Sequence, residues 1–388
     1  MAIDVRRGSD PTPAPPTAAG AMPEVGQLEK GVALCLSGGG YRAMLFHLGS
    51  LWRLNEGGLL PGLACVSSVS GGAIVAALLA TRWPELAFNS QGVSAPFGAA
   101  VVQPIRALAR HTIDVGSITG GLLNPFSTIA DSIVAAYRKH LLGSQKLNSL
   151  PDQPRFVFNA TNVQTGALWR FTKEYMGDYR TGRVMSPTLE LAVVVGASSA
   201  FPPFLSPVHL KLNPQSVKPD PGSDLSHRPF TSNVVLSDGG VYDNLGLEPV
   251  FKRYDTVLVG DGGAKMAPEE EPASDWARHS RRVLDLIDNQ VRSLRQRVLI
   301  AAYEDSSRQG AYWGIRTDIA NYQLSDALPC PHATTLELAA VPTRLAAVED
   351  ALQERLINWG YAVCDAALRK HFPPKTSTRP AFPYPRGV

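Results

Sequence analysis

A chain of 388 residues holds two average domains or one large α/β domain with additions, and its 44% hydrophobic content supports a sizeable core. That content excludes wholesale disorder. The balance of 37 Lys and Arg against 34 Asp and Glu, a formal net charge of +3, excludes nucleic acid as the main partner and permits only weak attraction to anionic surfaces.

Residues 1–28 carry Arg6 and Arg7, then Pro11, Pro13, Pro15 and Pro16 in place of an apolar run. They read as a disordered leader, not a secretory signal. Residues 31–36 predict a short buried strand running into Ser37-Gly38-Gly39-Gly40. A helix follows from Tyr41 to about Asn55, with Leu45, Leu48, Leu51, Trp52 and Leu54 on a broad apolar face, stopped by Gly57 and Gly58. A second strand at 64–67 leads into Val69-Ser70-Gly71-Gly72 and a further helix from Ala73. Strand, glycine turn, helix, strand, tight turn, helix is the pattern of a parallel α/β sheet, with sites at the carboxyl ends of strands.

Residues 85–150 read as a helical insertion, with an apolar stretch at 97–109. Strands resume at 155–159 and 168–171, across a turn at Gln164-Thr165-Gly166. A helix at 189–197 ends in Ser198-Ser199-Ala200-Phe201-Pro202-Pro203. Residues 212–230 form a Pro- and Asp-rich loop. Short strands at 234–236 and 256–259 end at Asp238-Gly239-Gly240 and Asp261-Gly262-Gly263. An acidic loop at 267–275 precedes long amphipathic helices at about 280–302 and 343–368. These make a helical C-terminal extension over 280–372, and 373–388 read as a flexible Pro-rich tail. No apolar run reaches the roughly 18–20 residues of a membrane span. The four cysteines, Cys35, Cys65, Cys330 and Cys364, form no C-x-x-C pair, which argues against a disulfide framework or Cys-rich zinc site and fits a reducing cytoplasm.

Two turns carry chemistry. Ser70 lies on a strand-to-helix junction, which forces a side chain outward and sets it at a helix N-terminus. Position 68, where a glycine is usual, holds the still small Ser68; a plain Ser/Gly loop is the competing reading. The triple glycine Gly38-Gly39-Gly40 turns several N–H groups into one concave nest suited to a phosphate or an oxyanion. It lacks the Gly-Lys-Ser/Thr of a P-loop. A serine nucleophile needs a base. None of the eight histidines sits at a clean strand end, and His47 lies inside the first helix as a packing residue. Asp238 and Asp261 both occupy strand ends before Gly-Gly, and the pattern alone does not choose between them.

These blocks, in this order, resemble the patatin-like phospholipase family of serine lipid acyl hydrolases. Ser37–Arg42 is similar to its oxyanion motif, with Ala43 where many members have Gly. Ser70 matches the nucleophile. Asp238-Gly239-Gly240 matches the motif that supplies the dyad aspartate. Asn159–Gly166 and Ala197–Phe204 resemble further family blocks, so the similarity spans roughly 31–263. The resemblance implies one three-layer α/β/α domain over 29–372 with a mainly parallel central sheet. It implies a Ser–Asp dyad in which Asp238 is the base, Asp261 is structural, and Asp243 is a lesser acid. It further implies an oxyanion hole at Gly38, Gly39 and Gly40 and no metal or organic cofactor. Arg42, at the family's basic position, either holds the nest or contacts an anionic phosphate.

The implied reaction is hydrolysis of fatty-acyl esters in phospholipids or related lipids, by a protein of the cytoplasm or a peripheral membrane surface. Some members are delivered into other cells as effectors, a route that needs no secretory signal. A carboxylesterase or thioesterase with the same dyad, and a catalytically silent lipid-binding protein, are the alternative readings. Residues 97–126 and 200–205 are candidate lipid-binding segments, the first also reading as core helix. Arg278, Arg281, Arg282, Arg292, Arg295 and Arg297 form a basic run that faces either anionic headgroups or solvent.

Overall fold

The apolar run Val32–Leu36 shows no alternation with polar residues, which suits a strand covered on both faces. In the computed structural model, which describes residues 28–114, 129–203, 205–376 and 378–388, it lies within an eleven-stranded sheet. In chain order the first elements are β1 (Glu29–Leu36), α1 (Gly40–Glu56), β2 (Leu63–Ser68), α2 (Gly71–Arg82), α3 (Gln103–Ala109) and α4 (Ile129–Tyr137). Then come β3 (Arg155–Asn162), β4 (Ala167–Phe171), β5 (Tyr175–Asp178), β6 (Gly182–Met185), α5 (Leu191–Ser198), β7 (Val208–Lys211), β8 (Val217–Lys218) and β9 (Asn233–Asp238). The last are α6 (Gly240–Asp243), α7 (Glu248–Phe251), β10 (Tyr254–Asp261), α8 (Trp276–Glu304), β11 (Gln309–Gly314), α9 (His332–Ala339) and α10 (Asp350–His371).

Side chains alternate across the sheet and build a core on each face. Leu34 and Leu36 of β1, Val66 of β2 and Phe156 and Phe158 of β3 enter the larger core, packed by α1, α2, α5 and α10. Ala33 and Cys35, Cys65 and Val157 point the other way, into a smaller core with Leu245, Val250 and Leu299. This is a three-layer α/β/α arrangement.

The sheet is mixed, not mainly parallel. Strands β11, β10, β1, β2 and β3 are parallel neighbours. From β3 onward every pairing is antiparallel; β3–β4, β4–β5 and β5–β6 are joined by short turns that cannot accommodate a crossover, while β9 pairs with β3 and β7, and β8 with β6, across longer connections. One consequence positions the site. Strand β3 pairs with parallel β2 along Arg155–Phe158, then exchanges that neighbour for antiparallel β9 along Ala160–Asn162. The carboxyl ends of β2 and β9 therefore point toward each other along one side of β3. Ser68 stands opposite Phe158 and Asp238 opposite Ala160, two residues or about 7 Å along β3.

The C-terminal region carries the expected helices, α8, α9 and α10, and is also part of the sheet. It contributes edge strand β11 to the sheet, and α10 packs closely along α1. At their crossing a Cβ on Gly49 would fall 1.9 Å from the Ile357 carbonyl oxygen, and one on Gly360 would fall 1.8 Å from that of Phe46. A buried ion pair, Arg53–Asp365 at 2.8 Å, lies beside this contact. Helix α10 begins at Asp350, later than the periodicity from 343 predicts. The preceding loop is stitched to the insertion instead, through Ile113 N–H to Leu345 O and Val348 N–H to Ala109 O. The Pro-rich tail, expected to be flexible, docks: Asn358 donates to the Tyr384 and Gly387 carbonyls, and Trp52 packs edge-on against Tyr384. Phe97, Val101, Ile105 and Leu108 of the insertion are buried in the larger core. Residues 1–27 of the expected leader and 115–128, which include 115–126 of the candidate lipid segment, lie outside the described residues. No helix among the described residues is long and apolar enough to cross a membrane.

Candidate active site

Ser70 sits between β2 and the N-terminus of α2 with φ 51° and ψ −118°. A positive φ is a strained state for a residue with a side chain, and such strain persists only where the surroundings impose it. Three contacts do so. The Ser70 N–H donates to Ser198 Oγ at 3.0 Å, which in turn donates to the Asn159 carbonyl at 2.7 Å. Asn159 Nδ2 donates to the Ser68 carbonyl at 3.0 Å. Gly71 and Gly72 leave room for the close approach of the neighbouring β1 loop, since a Cβ on Gly71 would meet the Gly40 carbonyl oxygen at 2.2 Å.

Asp238, at the end of β9, is 1% exposed. Its N–H donates to the Ala200 carbonyl at 2.9 Å and its own carbonyl accepts from Thr161 Oγ1 at 2.7 Å. Its Oδ1 accepts from Gly240 N–H at 2.7 Å. Its Oδ2 has no partner within hydrogen-bond distance among the described residues. Burial pushes the Asp238 carboxyl up to about 7; the Gly240 N–H and the neighbouring Ser70 hydroxyl oppose that rise, and the charge of Asp288 adds to it. A base whose pKa lies near neutrality is matched to proton transfer at physiological pH. The unpartnered Oδ2 belongs to a carboxylate that lines the same cavity as Ser70.

The nest lies against this pair. Gly39 (φ 142°) and Gly40 (φ 61°) both adopt left-handed backbone, and both line a cavity of about 690 Å³ together with Ser70 and Asp238. Among the described residues their N–H groups have no acceptor. Gly38 differs from the role the resemblance implies. Its N–H is committed to the Asn244 carbonyl at 3.0 Å, and a Cβ there would lie 2.3 Å from Asn244 Oδ1 and 3.2 Å from Ser70 Cβ. Gly38 thus serves close approach, and two donors, not three, are open to an oxyanion.

A family model described as patatin-like phospholipase matches residues 34–251, more than half of the chain and all of this constellation. The chain belongs to the patatin-like phospholipase family. No curated protein matches it by sequence. Among solved structures, human GIVD cytosolic phospholipase A2 in complex with methyl gamma-linolenyl fluorophosphonate is 13% identical with a TM-score of 0.49, covering 89% of this chain and 60% of that one. Another structure of that human protein is 14% identical with a TM-score of 0.40, covering 63% of this chain and 49% of its own. VipD from Legionella pneumophila is 16% identical with a TM-score of 0.36, covering 89% and 67%. The chain thus spans about half to two thirds of the length of these proteins.

In this patatin-like chain Arg42 turns away from the cavity. It is buried, and it donates from Nε and Nη2 to the Gly262 carbonyl at 3.2 and 3.0 Å and from Nη1 to the Val341 carbonyl. Desolvation lowers its pKa to about 10, still well above neutrality. Arg42 therefore braces the nest against the β10 loop and the loop before α10. Asp261 is likewise committed, accepting from Gly263 N–H at 2.9 Å and from the Tyr312 hydroxyl at 2.9 Å. Asp243 accepts from the N–H groups of Leu245 and Glu248. His47 is buried, shares a contact with the Ser37 carbonyl at 3.0 Å, and is held neutral by desolvation at a pKa of about 4.

Sequence reasoning quoted Asn159, Thr161 and Ser198 within family blocks but assigned them no role; their bonds now place Ser70 and Asp238. It missed Asn244, four residues past the Asp238-Gly239-Gly240 motif, and the loop at 341–345. Arg344 in that loop accepts the Tyr41 N–H on its carbonyl, pairs with Asp114 at 3.1 Å, and lines the cavity. No sequence signal marks it, because its contacts are to residues some 230 to 300 positions away. Of the basic run, Arg281, Arg282 and Arg292 line the cavity; Arg295 pairs with Glu248 at 3.0 Å and Arg278 with Asp275.

Proposed function

We propose that this chain hydrolyses fatty-acyl esters of phospholipids or related lipids through an acyl-serine on Ser70. The observation that carries the reading is the meeting of Ser70, held at positive φ, with the buried Asp238 on one side of β3, beside two unsatisfied N–H groups. Asp238 accepts the hydroxyl proton as Ser70 Oγ attacks the ester carbonyl. The Gly39 and Gly40 N–H groups receive the oxyanion. Losing one such donor costs on the order of 3 kcal/mol of barrier. The protonated Asp238 then gives its proton to the departing alkoxide. Water, deprotonated by the same carboxylate, attacks the acyl-serine and releases the fatty acid, restoring the hydroxyl on Ser70.

The walls suit a lipid. Phe201, Pro202, Pro203, Leu205, Met266 and Leu345 supply an apolar slot, within the usual size of small-molecule pockets. Helix α8, which forms part of the rim, exposes Trp276 (83%), Leu284 (63%), Ile287, Leu294 and Val298 to solvent, with arginines interleaved. An apolar stripe with basic neighbours suits peripheral contact with an anionic lipid surface.

The test is product analysis by mass spectrometry on mixed phospholipid vesicles, with wild type, Ser70→Ala and Asp238→Asn checked for folding. Free fatty acid and lysophospholipid from wild type, and neither from the variants, are the expected products. Release from soluble thioesters or short esters alone would replace the phospholipid by those substrates. Equal activity in Ser70→Ala would remove the mechanism.

A further inference from the structure

Beside the catalytic cavity lies a second, polar cavity of about 560 Å³, at the carboxyl ends of β10 and β11. The two share Lys265, Asn289 and Arg292, so they adjoin along α8. We propose that this polar cavity binds the phosphate of the substrate headgroup, with Arg292, Lys265 and Arg316 as its cationic contacts.

Three observations carry this. First, Arg292 is 9% exposed, yet its guanidinium makes no hydrogen bond and no ion pair with a described residue. It feels Asp288 only at longer range. A buried guanidinium that faces a cavity without a partner is an anion contact waiting for its anion, because burial without compensation is unfavourable. Second, Lys265 and Arg316 line the same cavity and form no ion pair among the described residues. Third, the two carboxylates there have donors of their own. Asp261 is held by Gly263 N–H and the Tyr312 hydroxyl, and Asp318 Oδ1 accepts from Ala320 N–H at 3.0 Å while its Oδ2 lies 3.8 Å from His332 Nδ1. The cations are thus left to an external ligand. Arg42, the other cation near the nest, has its donors on backbone carbonyls. The shared wall puts the phosphate site beside the ester site, as one molecule bearing both groups requires.

The inference rests on the acyl-hydrolase reading for the source of the phosphate, and the experiment separates the two. Glycerophosphate and inorganic phosphate are titrated calorimetrically into Ser70→Ala protein, alone and combined with Arg292→Gln, Arg316→Gln or Lys265→Gln. In parallel, kcat/KM is compared for a phospholipid and for a diacylglycerol with the same acyl chains, in the same neutral detergent micelles. Arg316 and Lys265 are exposed, so those variants remain informative if Arg292→Gln fails to fold. Glycerophosphate binding that weakens about tenfold in each variant, with a similar fall in the ratio of phospholipid to diacylglycerol kcat/KM, is expected. Binding with an unchanged ratio means a free phosphate ligand and overturns the headgroup assignment. No binding, or binding indifferent to all three variants, overturns the site. Binding that depends on Arg292, in a wild type that hydrolyses no ester, leaves the anion site standing and removes the hydrolase reading.

Discussion

On one side of the catalytic cavity the residues are buried and held by backbone. Ser70, Asp238, Gly39 and Gly40 are fixed by Ser198, Thr161, Ala200 and the close approach of Gly71 to Gly40. On the other side α8 presents arginines and unpacked apolar side chains, and only Arg292, Leu299 and Ala302 along its length are buried. The difference separates two tasks. Proton transfer and oxyanion binding need groups whose pKa and direction are set beforehand, which burial and glycine backbone supply. Under the proposed function, choosing and admitting a lipid needs charge and apolar surface in reach of the bulk, and α8 offers both. Changes on the buried side should remove the chemistry itself. Changes on α8 should alter which lipid is used and how the chain meets it.

The largest effect is expected at the proposed nucleophile. Ser70→Ala should lower ester hydrolysis by about 10⁴-fold or more, with thermal unfolding near that of wild type. Asp238→Asn should cause a loss of similar order while moving stability the other way. A carboxyl raised to about 7 when folded binds its proton more tightly than in the unfolded chain. Its ionisation therefore opposes folding, negligibly below about pH 4 and fully above about pH 7, by on the order of 4 kcal/mol. Asp238→Asn should melt above wild type at pH 8, and the gap should close toward pH 4. The same shift gives wild-type kcat/KM an acid limb near pH 7, falling as pH drops. A limb near pH 4 would mean that burial does not raise the carboxyl of the base, and a limb that persists unchanged in Asp238→Asn would exclude Asp238.

Gly40→Ala should reduce kcat by about 10²–10³-fold, because φ 61° and a Cβ 2.5 Å from the Arg344 carbonyl oxygen would shift the nest N–H. Arg42→Gln removes buried bonds to Gly262 and Val341 and should destabilise by on the order of 3 kcal/mol, measured by denaturant unfolding. It should slow phospholipid and diacylglycerol alike, whereas Arg292→Gln should discriminate between them. The smallest effect on stability is expected on the outer face of α8. Leu284→Ser with Leu294→Ser should shift unfolding by no more than about 0.5 kcal/mol per site, yet weaken sedimentation with anionic vesicles severalfold. Unchanged sedimentation would assign that stripe to another partner.

The three-layer α/β/α class, the family and the identity of Ser70 and Asp238 as candidates were legible in the sequence. They rest on local rules: a strand without alternation, a small-residue turn before a helix, and Asp before Gly-Gly at a strand end. The choice of Asp238 over Asp261 rested on the family resemblance, and the geometry that supports proposing it appears only in the fold. Strand β9 runs antiparallel on β3 and aims its end at that of β2, whereas Asp261 ends parallel β10 and turns to Tyr312. The withdrawal of Gly38 and Arg42 from the site, the docking of the Pro-rich tail and the second cationic cavity were also invisible beforehand. Each depends on which carbonyl or cation a distant segment brings alongside. A hydrogen-bond donor carries no mark in the sequence of whether its acceptor is a ligand or the backbone some 200 residues away; only the packed chain decides that.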